Sequence, residues 1–199
     1  KKENKKIDGV IHFAGLKAVE ESFLKPLLYW KTNLIGTINL LEVMEEFNCH
    51  NLVFSSSASV YKPKDNLLLK ESSELGPINP YGNTKYTIEV LLNDLLKSKI
   101  EKWKFASLRY FNPIGAHESG LLGEDQKDVP NNIFPLIINT ALGLQKQLKI
   151  YGNDWPTPDG TPVRDYIHVM DLAESHIKVL ECLFSSKAIY FELNVGTGV

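Results

Sequence analysis

Short apolar runs alternate with long amphipathic segments along the chain, a pattern typical of α/β proteins. The runs VIHFAG (10–15), NLVFSSSASVY (51–61) and FASLRYFN (105–112) each predict a buried strand that ends in small or polar residues. Residues 26–47 and the segment after Tyr81 predict long helices, because their apolar residues repeat at helical spacing. Strands joined by long helices predict a parallel sheet, in which ligands bind beyond the carboxyl ends of the strands.

The second half of the chain predicts a different arrangement. Residues 113–132 are rich in loop-forming residues, and a helix is predicted at about 133–144. A short strand, LKIYG (148–152), precedes a polar loop. A further helix is predicted to begin near Asp171, a suitable N-cap, and AIYFELNVG (188–196) predicts a last strand.

This change of pattern predicts a domain boundary near Pro113. We expect a first domain over residues 1–112 and part of a smaller α/β domain over 113–199. The helix near 171–185 is expected to pack back on the first domain.

The segment NPYGNTKYTIEVLL contains the strongest candidate chemistry. Tyr81 and Lys85 are four residues apart at a helix start, on the same stripe as Ile88 and Leu92, so both should point inward. The positive charge of a lysine favours the phenolate and lowers the pKa of a tyrosine. With a serine hydroxyl such as Ser57, the pair is suited to removing the proton of an alcohol while hydride leaves its carbon. The nicotinamide ring is the usual hydride acceptor on this fold.

Each of these features is weak by itself, because a Tyr–Lys pair at this spacing is usually a helix-surface contact. A serine run at a strand end is more often a turn than a catalyst, and many unrelated folds share the alternation of strands and helices. The prediction depends on finding all three features in order on one sheet.

Composition narrows the possible partners. The formal net charge is −2 and the mean hydropathy is −0.16, so neither nucleic acid nor a membrane is indicated. Cys49 and Cys182 form no paired motif and suit reduced thiols in the cytoplasm. No metal site is predicted, because metal-ligand spacing is lacking among His12, His117, His168 and His176.

Six segments together resemble the UDP-glucose 4-epimerase family of extended short-chain dehydrogenases/reductases. They are HFAGLKAV, NLVFSSSASVY, NPYGNTK, LRYFNPIGAH, GEDQKDVPNN and DGTPVRDYIHVMDLA, in unbroken order between Val10 and Gly198. The resemblance implies a Rossmann-like, doubly wound parallel sheet, incomplete here, with part of a UDP-sugar-binding domain.

The resemblance also implies a mechanism, a cofactor and substrates. Bound NAD takes hydride from C4 of the hexose while Tyr81 takes the proton of the 4-hydroxyl, and a 4-keto sugar turns before hydride returns. Ser57 would hydrogen-bond the sugar oxygen, and Lys85 would hold the ribose hydroxyls of NAD and lower the pKa of Tyr81. The reaction interconverts UDP-glucose and UDP-galactose in galactose metabolism, and such enzymes commonly form homodimers.

Further site residues follow from the resemblance. Besides Ser57, Tyr81 and Lys85, those implied to contact the cofactor are Phe13, Ala14, Gly15, Leu16, Lys17, Thr32, Asn33, Tyr110 and Phe111. Those implied to bind substrate are Lys17, Ser57, Tyr81, Asn112, Asn131, Asn132, Ile133, Tyr151 and Arg164. Structural roles remain open for several of these residues. Phe13 and Tyr110 could be core residues, Asn131 and Asn132 suit helix caps, and Arg164 could form an ion pair with Asp165.

The chain departs from the family pattern chiefly by lacking the glycine-rich GxGxxG turn that seats the NAD pyrophosphate. We therefore expect a fragment that lacks the N-terminal glycine-rich strand and helix and the C-terminal end. A UDP-N-acetylhexosamine epimerase, a UDP-glucuronate decarboxylase and a nucleotide-sugar dehydratase are alternatives. Dehydratases usually carry Thr, Asp and Glu where this chain has SSSAS. A non-catalytic nucleotide-sugar-binding fragment is another alternative.

We predict that the 199-residue chain alone has no epimerase activity, because its sequence has no glycine-rich turn for the cofactor pyrophosphate. The measurement is turnover of UDP-galactose by this chain with added NAD. Robust turnover would contradict the prediction.

Overall fold

The computed structural model describes residues 6–64, 68–98, 102–124, 130, 132–150, 152–185, 187 and 189–198. The chain forms two compact units. The first contains Lys1–Phe111 and Ala173–Val195, and the second contains Asn112–Leu172 and Gly196–Val199.

A parallel sheet forms the centre of the first unit. In the described part of the chain its strands are β1 (Val10–His12), β2 (Asn51–Ser57), β3 (Lys104–Tyr110) and β6 (Tyr190–Val195), in the order β1-β2-β3-β6. All three pairings are parallel, which confirms the predicted α/β fold. The strand β6 lies within residues 113–199, which were predicted to form the second domain. In the structure it pairs with β3 and belongs to the sheet of the first unit.

The helices that connect these strands include those predicted over 26–47, after Tyr81 and near Asp171, whereas the helix over Val19–Leu24 was not predicted. They are α1 (Val19–Leu24), α2 (Pro26–Tyr29), α3 (Gly36–Glu46), α4 (Pro80–Lys97) and α6 (Val169–Ser185). A 3-10 turn (Ala58–Val60) follows β2.

The helix predicted over residues 26–47 is interrupted by a π-helical turn at Trp30–Ile35. Such turns insert an extra residue and often occur at functional sites. The helix ends where Asn48 takes a left-handed conformation (φ 55°) and the backbone N–H of Cys49 bonds the Met44 carbonyl. Asparagine tolerates this conformation because its short side chain can bond the backbone locally.

Apolar side chains of α3 and α4 pack against the sheet to form the main core. Leu52, Phe54 and Phe105 from the strands meet Leu41, Met44, Ile88 and Leu92 from the helices, with Cys49 and Trp103 at the margin. Leu92 and Ile88 are 0% and 1% exposed, which agrees with the predicted apolar stripe of α4. The same stripe carries Tyr81 and Lys85 into the interior.

The second unit contains a short parallel pair, β4 (Asn112–Ile114) with β5 (Tyr166–His168), and the helix α5 (Ile133–Ala141). The pair was not predicted, because three residues show too little alternation to be recognised. The predicted strand LKIYG is wrong over residues 148–150, which have no regular structure, and Tyr151 lies outside the described residues. Within the described ranges, no helix is both long and apolar enough to cross a membrane.

We predict that Leu92→Ala lowers the free energy of unfolding by about 2–5 kcal/mol, because it opens a cavity in a fully buried site. Val90→Ala on the same helix is the control. Since Val90 is 42% exposed, its truncation should cost less than about 1 kcal/mol. Urea unfolding of both variants measures the difference, and equal losses would contradict the packing of α4 described above.

Candidate functional site

The start of α4 is fixed by its cap and by a close approach to the 3-10 turn. Asn79 caps the helix by accepting a hydrogen bond from the Gly82 N–H at 2.7 Å, and Pro80 occupies the first turn. A Cβ on Gly82 would lie 2.5 Å from the Ser59 carbonyl oxygen, so only glycine allows this approach. Tyr81 is thereby held against the end of β2.

Three serines end β2, and two of them serve the candidate site directly. Ser57 lowers the pKa of the Tyr81 phenol as its hydrogen-bond partner, and its hydroxyl accepts a bond from the Ser59 N–H at 3.1 Å. The hydroxyl of Ser55 bonds the phenol of Tyr110, which extends from the neighbouring strand β3. The serine run is therefore a polar end to a buried strand and not a surface turn.

Lys85 extends from α4 to the end of the same strand. Its Nζ donates a 2.6 Å hydrogen bond to the Ser55 carbonyl oxygen, and it lies 4.8 Å from the ring centroid of Phe54 and 5.9 Å from that of Tyr81. Lys85 is 5% exposed and Tyr81 is 8% exposed. The structure thus brings Ser57, Tyr81 and Lys85 together in the interior, as predicted for a proton-transfer site.

The protonation of this group differs from the prediction. Burial raises the pKa of Tyr81 to about 12, although the hydrogen bond from Ser57 acts in the opposite direction. Burial also lowers the pKa of Lys85 to about 8. The predicted lowering of the Tyr81 pKa by Lys85 is therefore corrected for this structure, because burial of the phenol outweighs the other influences and Nζ is bound to a strand carbonyl instead.

The loop after β1 lies open beside this group. Phe13, Ala14, Gly15 and Lys17 are exposed and Leu16 is half-buried. A Cβ added to Gly15 would lie 3.1 Å from Oδ1 of Asn33 and 3.9 Å from Nζ of Lys85, so the backbone here passes close to the candidate catalytic lysine. These exposed small residues suit the predicted cofactor contact.

Asn33 anchors the loop after β1. It is 2% exposed, and its amide accepts from the Leu16 N–H at 2.7 Å and donates to the Leu16 carbonyl at 3.0 Å. It also donates to Thr84, whose hydroxyl donates to the Tyr81 carbonyl. Asn33 therefore holds the loop that is predicted to contact the cofactor, and its own contact with the cofactor stays a prediction. Its neighbour Thr32 is exposed.

Two histidines pack around the site. His12 is buried against Thr37, with its Nε2 2.9 Å from the threonine hydroxyl oxygen, and burial followed by the nearby charge of Lys85 lowers its pKa to about 4. His176 is 1% exposed, and its ring centroid lies 4.5 Å from that of Phe13 and 5.9 Å from that of Tyr110. Both histidines are buried beside the site.

Sequence reasoning missed several residues that build the site. Ser55 and Thr84 lie within the motifs SSSAS and NPYGNTK. Each is a polar residue at a buried position, and that combination could have identified them. His12 gave no signal of its own, because its contact with Thr37 joins positions 25 residues apart.

The remaining predicted residues lie outside this group. Phe111 is half-buried in the first unit. In the second unit, Asn112 donates through Nδ2 to the Asp165 carbonyl at 2.9 Å. Asn132 and Ile133 begin α5 and are exposed. Asn131 and Tyr151 were also predicted to bind substrate, and both lie outside the described residues.

Arg164 is exposed in the second unit. Its guanidinium lies 5.8 Å from the Trp155 ring centroid, and Nη1 donates to the Val163 carbonyl at 2.9 Å. Asp165 accepts hydrogen bonds from Thr197 and Gly198. Among the described residues, the contacts of Arg164 and Asp165 include no ion pair between the two, which was the structural alternative to substrate binding by this arginine.

A comparison with protein families agrees with this fold. Residues 1–196 match the model of the NAD dependent epimerase/dehydratase family. The chain belongs to that family.

Individual relatives are similar over nearly the whole chain. The bifunctional UDP-glucose 4-epimerase and UDP-xylose 4-epimerase 1 of Pisum sativum is 52% identical over 194 residues, which are 97% of this chain and 55% of the pea protein. The chain thus spans about half the length of the curated relatives it matches.

Solved structures give the same result. A UDP-glucose-4-epimerase from Stenotrophomonas maltophila with bound NAD and formylated UDP-arabinopyranose has a TM-score of 0.92 and 45% identity, covering 96% of this chain and 56% of that one. A UDP-glucose 4-epimerase from Bifidobacterium longum in complex with NAD+ and UDP has a TM-score of 0.91 and 48% identity, covering 98% and 58%. The parallel α/β sheet described here is therefore the Rossmann-like sheet of these proteins.

We predict that the buried ammonium of Lys85 makes stability rise with pH. The unfolded chain keeps the lysine proton up to a pKa of 10.5, whereas the folded chain releases it above about 8. Between these values the unfolded state binds more protons, so the free energy of unfolding should rise by up to about 1.4 kcal/mol per pH unit from this group.

Urea unfolding between pH 8 and 9.5, below the range in which tyrosines ionise, measures this slope. Lys85→Met should remove it, whereas Lys97→Met at the exposed end of the same helix controls for the loss of one charge. A slope that survives in Lys85→Met would contradict the assignment.

Proposed function

We propose that this protein is a UDP-glucose 4-epimerase, which interconverts UDP-glucose and UDP-galactose with NAD as its bound cofactor. The observation that carries the proposal is the buried group of Ser57, Tyr81 and Lys85 at the carboxyl end of β2, beside the open loop from Phe13 to Lys17. The names of the similar proteins support the substrate and the cofactor.

The residues of the first unit fit one end of NAD. A lysine ammonium has three N–H donors, and one of those of Lys85 goes to the Ser55 carbonyl within the described structure. The others are suited to a pair of ribose hydroxyls. Phe13, Ala14 and Gly15 offer an exposed edge of small and aromatic groups beside the lysine. The proposed cofactor contacts are completed by Leu16, Lys17, Thr32, Asn33, Tyr110 and Phe111.

Bound NAD supplies the chemistry of accepting hydride from C4 of the hexose and returning it. The chain supplies the proton transfer: Tyr81 Oη takes the proton of the 4-hydroxyl and later gives it back to the 4-keto sugar. Ser57 hydrogen-bonds the same sugar oxygen and also lowers the pKa of the Tyr81 phenol as its hydrogen-bond partner. Lys85 stabilises the phenolate while the proton is away from Tyr81.

The second unit is proposed to hold the UDP part of the substrate. Arg164 is exposed, and a guanidinium can bind a pyrophosphate through two parallel hydrogen bonds. Asn112, Asn132 and Ile133 are proposed to bind substrate as well, together with Asn131 and Tyr151. The backbone N–H groups at the start of α5 are suited to an anion.

The setting of this function is also a proposal. We infer a role in galactose metabolism, a cytoplasmic location and a homodimer. Exposed apolar side chains on the helices of the first unit support pairing, since Leu27, Ile35, Val43 and Val90 are 42–83% exposed. The reduced state of Cys49 and Cys182 supports the cytoplasm.

We predict that Tyr81→Phe in the full-length protein lowers kcat for UDP-galactose by at least about 100-fold and leaves substrate affinity nearly unchanged, because only the proton acceptor is lost. Tyr86→Phe is the matched control on the same helix and should keep wild-type kcat. Steady-state kinetics and UDP-sugar binding measure both effects. A Tyr81→Phe enzyme with normal kcat would refute the mechanism, and a wild-type protein that binds UDP-sugars without turnover would favour a binding module.

A further inference from the structure

A second polar cluster lies in the first unit, and the proposed proton transfer does not use it. It consists of Ser56, Glu89 and Arg109, which are 0%, 3% and 0% exposed. The Ser56 hydroxyl donates to the Glu89 carboxylate. Arg109 donates to the same carboxylate through Nε at 3.0 Å and through Nη2 at 2.6 Å. The Ser56–Glu89–Arg109 cluster thus joins β2, α4 and β3.

The charge of Arg109 is well compensated without Ser56. Besides Glu89, the guanidinium donates to Glu192 on β6 at 2.8 Å and to the Tyr61 hydroxyl at 3.2 Å. A buried ion pair is often no more stabilising than packed apolar side chains of the same volume. Stability is therefore a weak explanation for the cluster, and the hydroxyl of Ser56 adds a directional contact that charge compensation does not require.

The position of the cluster relates it to the candidate site. Glu89 follows Lys85 by one helical turn on α4, and Ser56 lies between Ser55 and Ser57 on β2. Lys85 bonds the Ser55 carbonyl, whereas Glu89 bonds the Ser56 hydroxyl. One bond goes to a backbone carbonyl oxygen and the other comes from the side-chain hydroxyl of the next residue, so α4 is held to β2 at two adjacent points.

Two such bonds fix how far α4 can slide along β2. With only the Lys85 bond, the long lysine side chain would let the helix shift while the contact was kept. The buried bond from Ser56 to Glu89 joins α4 directly to β2, so together with the pair of Glu89 and Arg109 it restricts that freedom. The distance between the Ser57 hydroxyl and the Tyr81 phenol depends on the same relative position.

We propose that Ser56 and Glu89 are positioning residues, which fix α4 along β2 and so hold Tyr81 against Ser57 in the geometry that proton transfer needs. This inference rests on the proposed epimerase function. It concerns residues that touch neither substrate nor cofactor in that proposal, and they act through the helix that carries Tyr81.

Ser56→Ala in the full-length protein with bound NAD is the decisive variant. It removes the hydroxyl and leaves the pair of Glu89 with Arg109 in place, so the fold should be retained. We expect kcat for UDP-galactose to fall about tenfold with KM changed less than about twofold, because a small misplacement of a catalytic group is costly. The pH dependence should change too. The Ser57 bond lowers the pKa of Tyr81, so loosening it should move the acidic limb of kcat to higher pH.

Ser107→Ala is the matched control. Ser107 is also 0% exposed and lies on the adjacent strand β3, but its hydroxyl is 3.5 Å from that of Tyr190 on β6. This variant should keep wild-type kcat and the wild-type pH profile. Ser56→Thr retains a hydroxyl and should recover kcat and the position of the acidic limb relative to Ser56→Ala.

Thermal unfolding of each variant separates positioning from stability. A Ser56→Ala enzyme with a lower Tm but unchanged kcat and pH profile would overturn the positioning role. Equal losses of kcat in Ser56→Ala and Ser107→Ala would overturn it as well. An inactive wild-type enzyme would instead refute the proposed function, and the positioning role with it.

Discussion

The hydrogen bond from the Lys85 ammonium to the Ser55 carbonyl is the contact on which the site depends. It brings a charged group into the interior, where an ammonium loses its hydration and gains one strong acceptor. The exchange is unfavourable, as the lowered pKa of Lys85 indicates. The chain tolerates it because α4 is bound to the sheet through Ile88 and Leu92, whose burial is favourable and requires no particular direction.

In α4, apolar contacts attach the helix to the sheet, and polar contacts determine its position. Apolar residues keep α4 on the sheet but leave its position along the strands weakly specified, because hydrophobic contact is not directional. Polar groups specify that position. Tyr81 meets Ser57, Lys85 meets Ser55, and Thr84 connects the helix to Asn33 and from there to the loop at Leu16. The candidate site is thus a set of directional bonds placed on an apolar scaffold.

The sequence predicted the parts of this arrangement that depend on local period and missed those that depend on distant contacts. The long leucine-rich stripe of α4 predicted both the helix and the inward direction of Tyr81 and Lys85. The π-helical turn at Trp30–Ile35 interrupts a helix whose apolar pattern continues through it, so periodicity could not reveal it. Periodicity also could not reveal the hydrogen bonds of Asn33, because its partners Leu16 and Thr84 lie 17 and 51 residues away. The short run LKIYG was misassigned because apolar runs of that length fit several structures.

The ionisation of the pair follows from the same burial. Loss of hydration raises the pKa of Tyr81 to about 12 and lowers that of Lys85 to about 8, so each charged form is unfavourable when it is considered separately. A phenolate and an ammonium in the same poorly hydrated interior also attract each other more strongly than they would in water. The phenolate that takes the substrate proton therefore has a nearby positive charge already in place. Burial keeps the phenol of the unliganded chain protonated, and it also strengthens the attraction of the lysine charge for the phenolate, which must form before Tyr81 can take a proton. One physical cause therefore accounts for both properties of the site.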